Sequence, residues 1–286
     1  MKGEIQAFVR GLGTDHAIDI EPSSYPGGEP LIESRLLTAY PVTVRRLLVR
    51  PWSIQSLVTA LFFVDALYER GHDRDITLVL PYVPGARQDR LNDDGDFLFT
   101  VKSVANEINA RQFRSVIVVD PHSDVTPALI DRCFVVHAAD FLQIPKGKYA
   151  AVVSPDAGAE KRAGRVAREL DVPLIHAWKT RDVATGKISG FGVEQVKASE
   201  LAERRVLVVD DICDGGGTFI GLAQQIKYDY DVDLHLYVTH GLFSKGVDPL
   251  KTLYSHIYCT DSIIRDRPGV IEIPICQRLL EGGALR

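Results

Sequence analysis

The sequence predicts an α/β protein of two related domains, each a parallel sheet flanked by helices. Apolar strand-like segments alternate with helix-like segments, which is typical of parallel sheets with crossover helices. A faint internal repeat aligns Arg114–Asp124 (RSVIVVDPHSD) with Arg204–Asp214 (RRVLVVDDICD), and Leu78–Arg87 with Val152–Arg162. The alternative, that apolar strands look alike by chance, stays open. A chain of 286 residues with 45% hydrophobic content can bury enough core for two domains.

The individual elements follow from the hydrophobic pattern. Apolar runs bounded by turn residues predict the strands DITLVLPYV, SVIVVD, AAVVS, VPLIHA, RVLVVDD and DLHLYVTHG. Helical patterns lie between them at Thr100–Arg111, Glu160–Leu170 and Gly221–Tyr228. The apolar segment PWSIQSLVTALFFVDAL contains Gln55 and Asp65, so it predicts a core helix and not a membrane span.

The domain boundary is predicted near residues 144–148 (IPKGK), between the two halves of the repeat. Residues 1–145 then form an N-terminal domain and residues 146–270 a C-terminal domain. Residues 271–286 form a tail that is expected to pack back on the N-terminal domain.

The composition excludes several classes of function. Basic residues are scattered and the net charge is −5, so no nucleic-acid footprint is present. No membrane span and no signal peptide are predicted, and the cysteines show neither metal-site nor disulfide spacing. We therefore expect a cytoplasmic protein with free thiols.

The most informative segment is VLVVDDICDGGGTF, residues 206–219. Its pattern predicts a buried strand, a tight glycine turn and a helix N-terminus, where backbone N–H groups and the helix dipole bind anions. The acid pair before the turn can accept hydrogen bonds from vicinal hydroxyls. A ribose 5-phosphate unit would satisfy both features, whereas the alternative is a turn that only allows close packing. The predicted sugar-phosphate contacts are Asp210, Asp211, Asp214, Gly215, Gly216, Gly217 and Thr218.

This pattern resembles the phosphoribosyl pyrophosphate signature of type I phosphoribosyltransferases and ribose-phosphate pyrophosphokinases. Further blocks resemble the pyrophosphokinases and follow their order: LPYVPGARQDR, VVDPHSD, VVSPDAGAEKRAGRVA, KTR and VTHGLFSKG. Plain transferases lack the ARQDR and DPHSD blocks, so the chain is identified as a divergent short member of the pyrophosphokinase family. The resemblance implies two domains of the phosphoribosyltransferase type, an N-terminal one for ATP and a C-terminal one for sugar phosphate.

The resemblance also implies a reaction and its residues. Pyrophosphate passes from ATP to the anomeric hydroxyl of ribose 5-phosphate with Mg²⁺, releasing AMP. By position in the motifs, His122 and Asp156 contact the metal, and Lys179, Arg181 and His122 are catalytic. The polar segment HAWKTRDVATGKISG that carries KTR predicts a mobile loop closing over substrate.

The nucleotide contacts are likewise implied by resemblance. Arg87, Gln88 and Asp89 belong to the ATP side, and Arg87 could bind a phosphate bidentately. Tyr25 and Glu29, in SYPGGE, match the family's adenine loop, although a glycine stands where an acid is usual. That loop reaches a neighbouring subunit in the family, so a homo-oligomer is expected.

Two departures keep other functions open. The segment after ARQDR is acidic and aromatic, and Gly215 stands where the pyrophosphokinases usually carry threonine. A loop without that hydroxyl leaves room for a substituted phosphate, so the same chemistry on ADP-ribose, giving ADP-ribose pyrophosphate for NAD salvage, is an alternative. An inactive regulatory paralogue that binds nucleotide or sugar phosphate is an alternative of another class. A phosphoribosyltransferase is disfavoured by the pyrophosphokinase blocks.

Overall fold

The fold is known from a computed structural model of the chain. It describes residues 4–10, 15–21, 23–31, 43–51, 53–91, 98–181, 188–196, 201, 204–263 and 266–282. The chain divides into two units, each described by itself. Unit 1 contains Met1–His137, Ser262–Ile264 and Pro274–Arg286, and unit 2 contains Ala138–Asp261 and Arg265–Ile273.

Unit 1 contains a six-stranded sheet of order β2-β1-β5-β6-β7-β8. Its strands, with the short pair β3–β4, are β1 (Ile5–Arg10), β2 (Asp15–Ile20), β3 (Ser23–Ser24), β4 (Pro30–Leu31), β5 (Thr43–Val49), β6 (Thr77–Val79), β7 (Ser115–Val119) and β8 (Cys133–Val136). Strands β5 to β8 are parallel, whereas β1 is antiparallel to β2 and β5. The helices described in the part of unit 1 that precedes unit 2 are α1 (Ile54–Glu69), α2 (Thr100–Asn109) and α3 (Val125–Leu129).

The core of unit 1 forms where one face of this sheet meets α1. Leu47, Leu78 and Val118 from the strands are fully buried in one cluster with Leu61 and Val64 from the helix. The N-terminus of α1 is fixed by Ser53, whose Oγ accepts a hydrogen bond from the Ser56 N–H at 3.2 Å. Among the described helices, none is long and apolar enough to cross a membrane.

Unit 2 contains a seven-stranded sheet of order β11-β10-β9-β12-β13-β14-β15. Its strands are β9 (Ala151–Ser154), β10 (Leu174–Arg181), β11 (Ile188–Val193), β12 (Arg205–Cys213), β13 (Asp233–Gly241), β14 (His256–Thr260) and β15 (Ile271–Ile273). Among the described strands of this sheet, β10 and β11 are the one pair that runs antiparallel, and the other pairs are parallel. A 3₁₀ turn (Ala138–Phe141) precedes the helices α4 (Glu160–Leu170), α5 (Gly217–Asp229) and α6 (Asp248–Lys251).

The strand order of unit 2 reverses at one point. The chain passes from β9 outward to β10 on one side and later returns to place β12 on the other side of β9. Ligands of open α/β sheets bind outside the carboxyl ends of the strands at such a switch point. The ends of β9 and β12 are therefore where a site of unit 2 is expected.

The final helix, α7 (Cys276–Glu281), belongs to unit 1 although it follows unit 2 in the chain. It packs on β1 and β5 and buries Cys276, Leu279 and Leu280. The Arg46 guanidinium donates to the Leu280 carbonyl at 3.2 Å and so satisfies one of the carbonyls left open at the helix C-terminus.

The predicted fold class is confirmed, and the structure adds antiparallel strands that were not predicted. All six predicted strands are present, and α5 begins at Gly217, before the predicted Gly221. The prediction that KTR lies in a loop is wrong for Lys179–Arg181, because β10 continues to Arg181. Pairing with β11 supplies the backbone partners that make this polar segment a strand, and Phe191 of β11 lies against Gly221 of α5.

Candidate functional site

The glycine turn between β12 and α5 forms the centre of the site in unit 2. Gly216 is the N-cap of α5, with φ of +77° in the left-handed region, so the position favours glycine. Because glycine has no side chain to cap the helix, the first-turn N–H groups are left for another acceptor. Gly215 and Gly217 do not have left-handed φ, so the backbone does not require glycine there.

The acid pair lies near the end of β12, three residues before this turn. The side chains of Asp210 and Asp211 are 14% and 6% exposed, and the Asp211 N–H donates to Asp210 Oδ1 at 2.8 Å. Burial raises the pKa of Asp210 well above its ordinary value, and the neighbouring Asp211 charge raises it further. Two adjacent carboxyls offer several acceptor oxygens, which suits a pair of vicinal hydroxyls.

Arg162 on α4 lies beside the acid pair. Its Nη1 is 3.4 Å from Asp210 Oδ1 and 3.6 Å from Asp211 Oδ1, and its side chain is 11% exposed. The guanidinium lowers the pKa of Asp210 against the effect of burial. Sequence reasoning missed Arg162 as a site residue. The internal repeat held a signal, because it aligns the segment ending at Arg162 with the segment ending at Arg87.

The structure brings the predicted metal ligand Asp156 and the predicted catalytic Lys179 together. Lys179 Nζ on β10 is 2.7 Å from Asp156 Oδ2, and both side chains are partly exposed. The other carboxylate oxygen of Asp156 accepts the Ala159 N–H at 3.1 Å, which fixes the turn before α4. Arg181 ends β10, but its side chain lies outside the described part of the chain.

Strand register explains why these residues share one edge of the sheet. Val153 of β9 is level with Val208 of β12 and also with Ile175 of β10. The segments that follow these positions carry Asp156, the acid pair and Lys179. They meet at the switch point, where the fold predicts a ligand.

In unit 1, the ARQDR and DPHSD segments meet at Asp89. This carboxylate is buried and accepts from Arg90 Nε at 3.1 Å. Burial alone would raise the pKa of Asp89, but hydrogen bonds from Ser123 and Arg90 and the charges of Arg90 and His122 lower it below its ordinary value. Asp89 thus links the two segments, whereas Arg87, Gln88 and His122 are exposed at the surface of the unit. Gln88 accepts a hydrogen bond from the Thr100 hydroxyl on α2.

Tyr25 and Glu29 lie in the turn between β3 and β4. The Tyr25 N–H donates to the Glu29 carbonyl at 2.9 Å, and the Tyr25 side chain is 53% exposed. Within the described residues, the hydrogen bonds of this turn run inside the hairpin or to Gln55 of α1, and none reaches Arg87–Asp89.

Asp156 of unit 2 and His122 of unit 1 are each, taken separately, a donor that magnesium can use together with a phosphate ligand. Among the described residues, no group of three His, Cys, Asp or Glu side chains is placed to hold a metal ion. Magnesium is usually held by one or two carboxylates together with substrate phosphates and water, so a complete protein cage is not needed. Asp156 retains lone pairs beside its bonds to Lys179 and Ala159, and His122 offers an exposed imidazole.

Comparisons with known proteins agree with the fold of both units. The phosphoribosyl transferase domain family matches residues 138–261. The chain is 31% identical over 234 residues to a ribose-phosphate pyrophosphokinase of Cereibacter sphaeroides, covering 77% of this chain and 68% of the relative. It is 32% identical over 244 residues to the ribose-phosphate pyrophosphokinase of Maricaulis maris, covering 80% of this chain and 76% of the relative.

The matched share differs among relatives. The chain spans 58% of the length of the ribose-phosphate pyrophosphokinase of Mycoplasma genitalium and 57% of that of Mycoplasma pneumoniae. A solved phosphoribosylpyrophosphate synthetase from Mycobacterium smegmatis superimposes with a TM-score of 0.75 at 24% identity, covering 92% of this chain and 88% of that chain. That likeness supports the fold.

Proposed function

This chain belongs to the ribose-phosphate pyrophosphokinase family, and on that premise we propose that it transfers the β,γ-pyrophosphate of ATP to the anomeric hydroxyl of ribose 5-phosphate, releasing AMP. The observation that carries the proposal is the end of β12. A buried acid pair precedes a glycine turn that opens the N-terminus of α5. One ribose 5-phosphate unit uses both halves of this arrangement.

The acceptor is held by its two ends. The first-turn N–H groups of α5, the helix dipole and the Thr218 hydroxyl bind the 5-phosphate. Asp210 and Asp211 hydrogen-bond the vicinal hydroxyls, and Arg162 keeps the two carboxyls in place. With both ends fixed, the anomeric hydroxyl has a defined position, which is the main requirement for an in-line transfer.

The transfer itself requires neutralisation of phosphate charge. Magnesium, for which Asp156 of unit 2 and His122 of unit 1 each offer a ligand, would supply positive charge to the phosphate oxygens when bound. Lys179 forms an ion pair with Asp156. During the reaction its ammonium can leave this carboxylate and bind a phosphoryl oxygen, because negative charge develops there in the transition state. On the ATP side, Arg87 and Gln88 are exposed for phosphate contacts, and the Tyr25 ring is exposed for stacking on adenine of its own or a neighbouring copy.

One observation favours ADP-ribose as a second candidate acceptor. The backbone does not demand glycine at positions 215 and 217, and no atom lies within 4 Å of where a Cβ of Gly217 would stand. The turn therefore omits side chains that it could carry. That omission leaves space for a 5′-phosphate bearing a further group.

The test is acceptor-dependent release of AMP. The protein is incubated with ATP and magnesium and with ribose 5-phosphate, ADP-ribose or no acceptor, and AMP is counted. We expect release only with an acceptor, and a lower rate of release in Asp210→Asn when the acceptor concentration lies below its Michaelis constant. Tight binding of sugar phosphate without any AMP would instead identify a regulatory binding protein.

A further inference from the structure

The loop after β13 is fixed to the turn that opens α5. The N–H groups of Leu242 and Phe243 donate to the Cys213 carbonyl at 2.9 and 3.0 Å, and the Ser244 N–H donates to the Asp214 carbonyl at 3.1 Å. The side chain of Phe243 is buried in the core of unit 2 and anchors the loop there. The next residue, Lys245, therefore has a defined place beside the glycine turn.

The side chain of Lys245 lies where residue 215 has no side chain. Its Cδ and Cε are each 3.5 Å from the position that a Cβ of Gly215 would occupy, which is ordinary van der Waals contact. The ammonium is one bond beyond Cε, so it too lies near the turn. A cation from another loop thus borders the turn at Gly215.

Nothing described neutralises this cation. Lys245 is exposed, and no residue in the described part of the chain forms an ion pair or hydrogen bond with its ammonium. Its neighbour in the same region, Lys251, is different, because it pairs with Asp248 at 3.1 Å. Lys245 is available for an anion at the Gly215 side of the turn.

A single terminal phosphate already finds its donors at α5, in the first-turn N–H groups and Thr218. Lys245 lies at the other end of the turn, before the N-cap Gly216. We propose that Lys245 binds the second phosphate of a ribose 5-diphosphate ester, of which ADP-ribose is an example, and so determines acceptor specificity. This inference rests on the acceptor site of the proposed function and names a residue that selects among its substrates.

The test is binding, measured by calorimetry without ATP, of ADP-ribose and ribose 5-phosphate to the full chain. Lys245→Met keeps the length and apolar stem of the side chain and removes the charge. Because the lost contact is a hydrogen bond between charged groups, ADP-ribose should bind about tenfold more weakly to the variant, and ribose 5-phosphate less than about threefold more weakly. As a control, Lys227→Met removes a lysine from the last turn of α5 and should change neither affinity.

Two outcomes overturn the inference: a wild type that does not bind ADP-ribose, and a variant that loses both affinities equally or neither. AMP release with ribose 5-phosphate is measured on the same samples. If no AMP is released, the proposed function is wrong, but the two binding affinities can still be compared between wild type and variant. Normal AMP release with unchanged binding in Lys245→Met would remove only the inference.

Discussion

Strand β7 of unit 1 and strand β12 of unit 2 start from similar sequences and occupy similar places, each between two parallel neighbours. Their ends differ. After β7, Asp120 takes a left-handed φ of +36°, is buried and lies 3.2 Å from His137 Nδ1, and the helix that follows has five residues. After β12, a glycine turn leads to a helix of 13 residues.

The difference shows how one strand pattern serves two purposes. In the turn after β7 the Asp120 side chain is buried beside His137, and His122, two residues further on, is exposed. A glycine turn offers backbone N–H groups and a long helix dipole instead. The switch point lies beside β12, and β7 has no such reversal among the described strands. This contrast supports the proposal that the turn of unit 2 binds the phosphate.

The largest expected effect is the loss of turnover when Lys179 or Arg181, both in β10, is replaced. Lys179→Ala or Arg181→Ala should lower turnover by about two orders of magnitude or more, because their charges act mainly on the transition state. Binding of ribose 5-phosphate, measured by calorimetry, should stay nearly unchanged. Equal, modest losses in turnover and affinity would show that β10 only binds substrate.

A second prediction concerns the acid pair. Asp210→Asn should raise the Michaelis constant of the acceptor about tenfold, since charge-assisted hydrogen bonds contribute roughly 1.5–3 kcal/mol, and that of ATP much less. A selective effect on ATP would reverse the placement of the two substrates.

The same variant should also change how the free energy of unfolding depends on pH. Burial raises the pKa of Asp210 above its unfolded value, so the folded state binds more protons between the two values. Wild-type stability should therefore fall as pH rises from the ordinary value of 3.8 toward the raised pKa. Asp210→Asn should flatten that slope in urea unfolding, and an unchanged slope would contradict the raised pKa.

A third prediction concerns magnesium and the two residues expected to bind it, His122 after β7 and Asp156 after β9. His122→Ala and Asp156→Ala should each raise the magnesium concentration for half-maximal rate about tenfold, as loss of a ligand weakens the site. A lower rate with an unchanged magnesium curve would make these residues structural.

A fourth, smaller effect is expected at Arg162. Arg162→Met should raise the acceptor Michaelis constant about fivefold, since the guanidinium holds both carboxyls by weak, charge-assisted contacts. Because Arg162 lowers the pKa of Asp210, its removal should also move the pH midpoint of acceptor binding upward. Arg165→Met, on the same helix, is the matched control and should leave the pH profile in place.

The smallest effect tests the glycines themselves. Gly215→Thr adds a hydroxyl donor where only the flexible Lys245 side chain must move, so it should fold and favour ribose 5-phosphate over ADP-ribose by about threefold. Gly216→Thr meets a left-handed φ and should lower stability by about 1–2 kcal/mol. Unchanged preference in a folded Gly215→Thr would remove the argument from the missing side chain.

What the sequence could predict was local. Strand, glycine turn and helix follow one another within VLVVDDICDGGGTF, so the pattern alone indicates a phosphate loop. The contact of Arg162 with Asp210 spans 48 residues and depends on how α4 packs, which no local pattern specifies. Likewise, Lys179 reads as a loop residue because its strand partner, β11, comes later in the chain.

The position of α7 has a consequence for how the protein is made. Unit 1 takes its first strand from one end of the chain and α7 from the other, and all of unit 2 is synthesised in between. On the ribosome, the parts of β1 and β5 that α7 covers must wait uncovered while more than 200 residues emerge. Substitutions at Leu279 or Leu280 should therefore reduce soluble yield during expression more than they change the kinetics of the proposed AMP release in the folded protein.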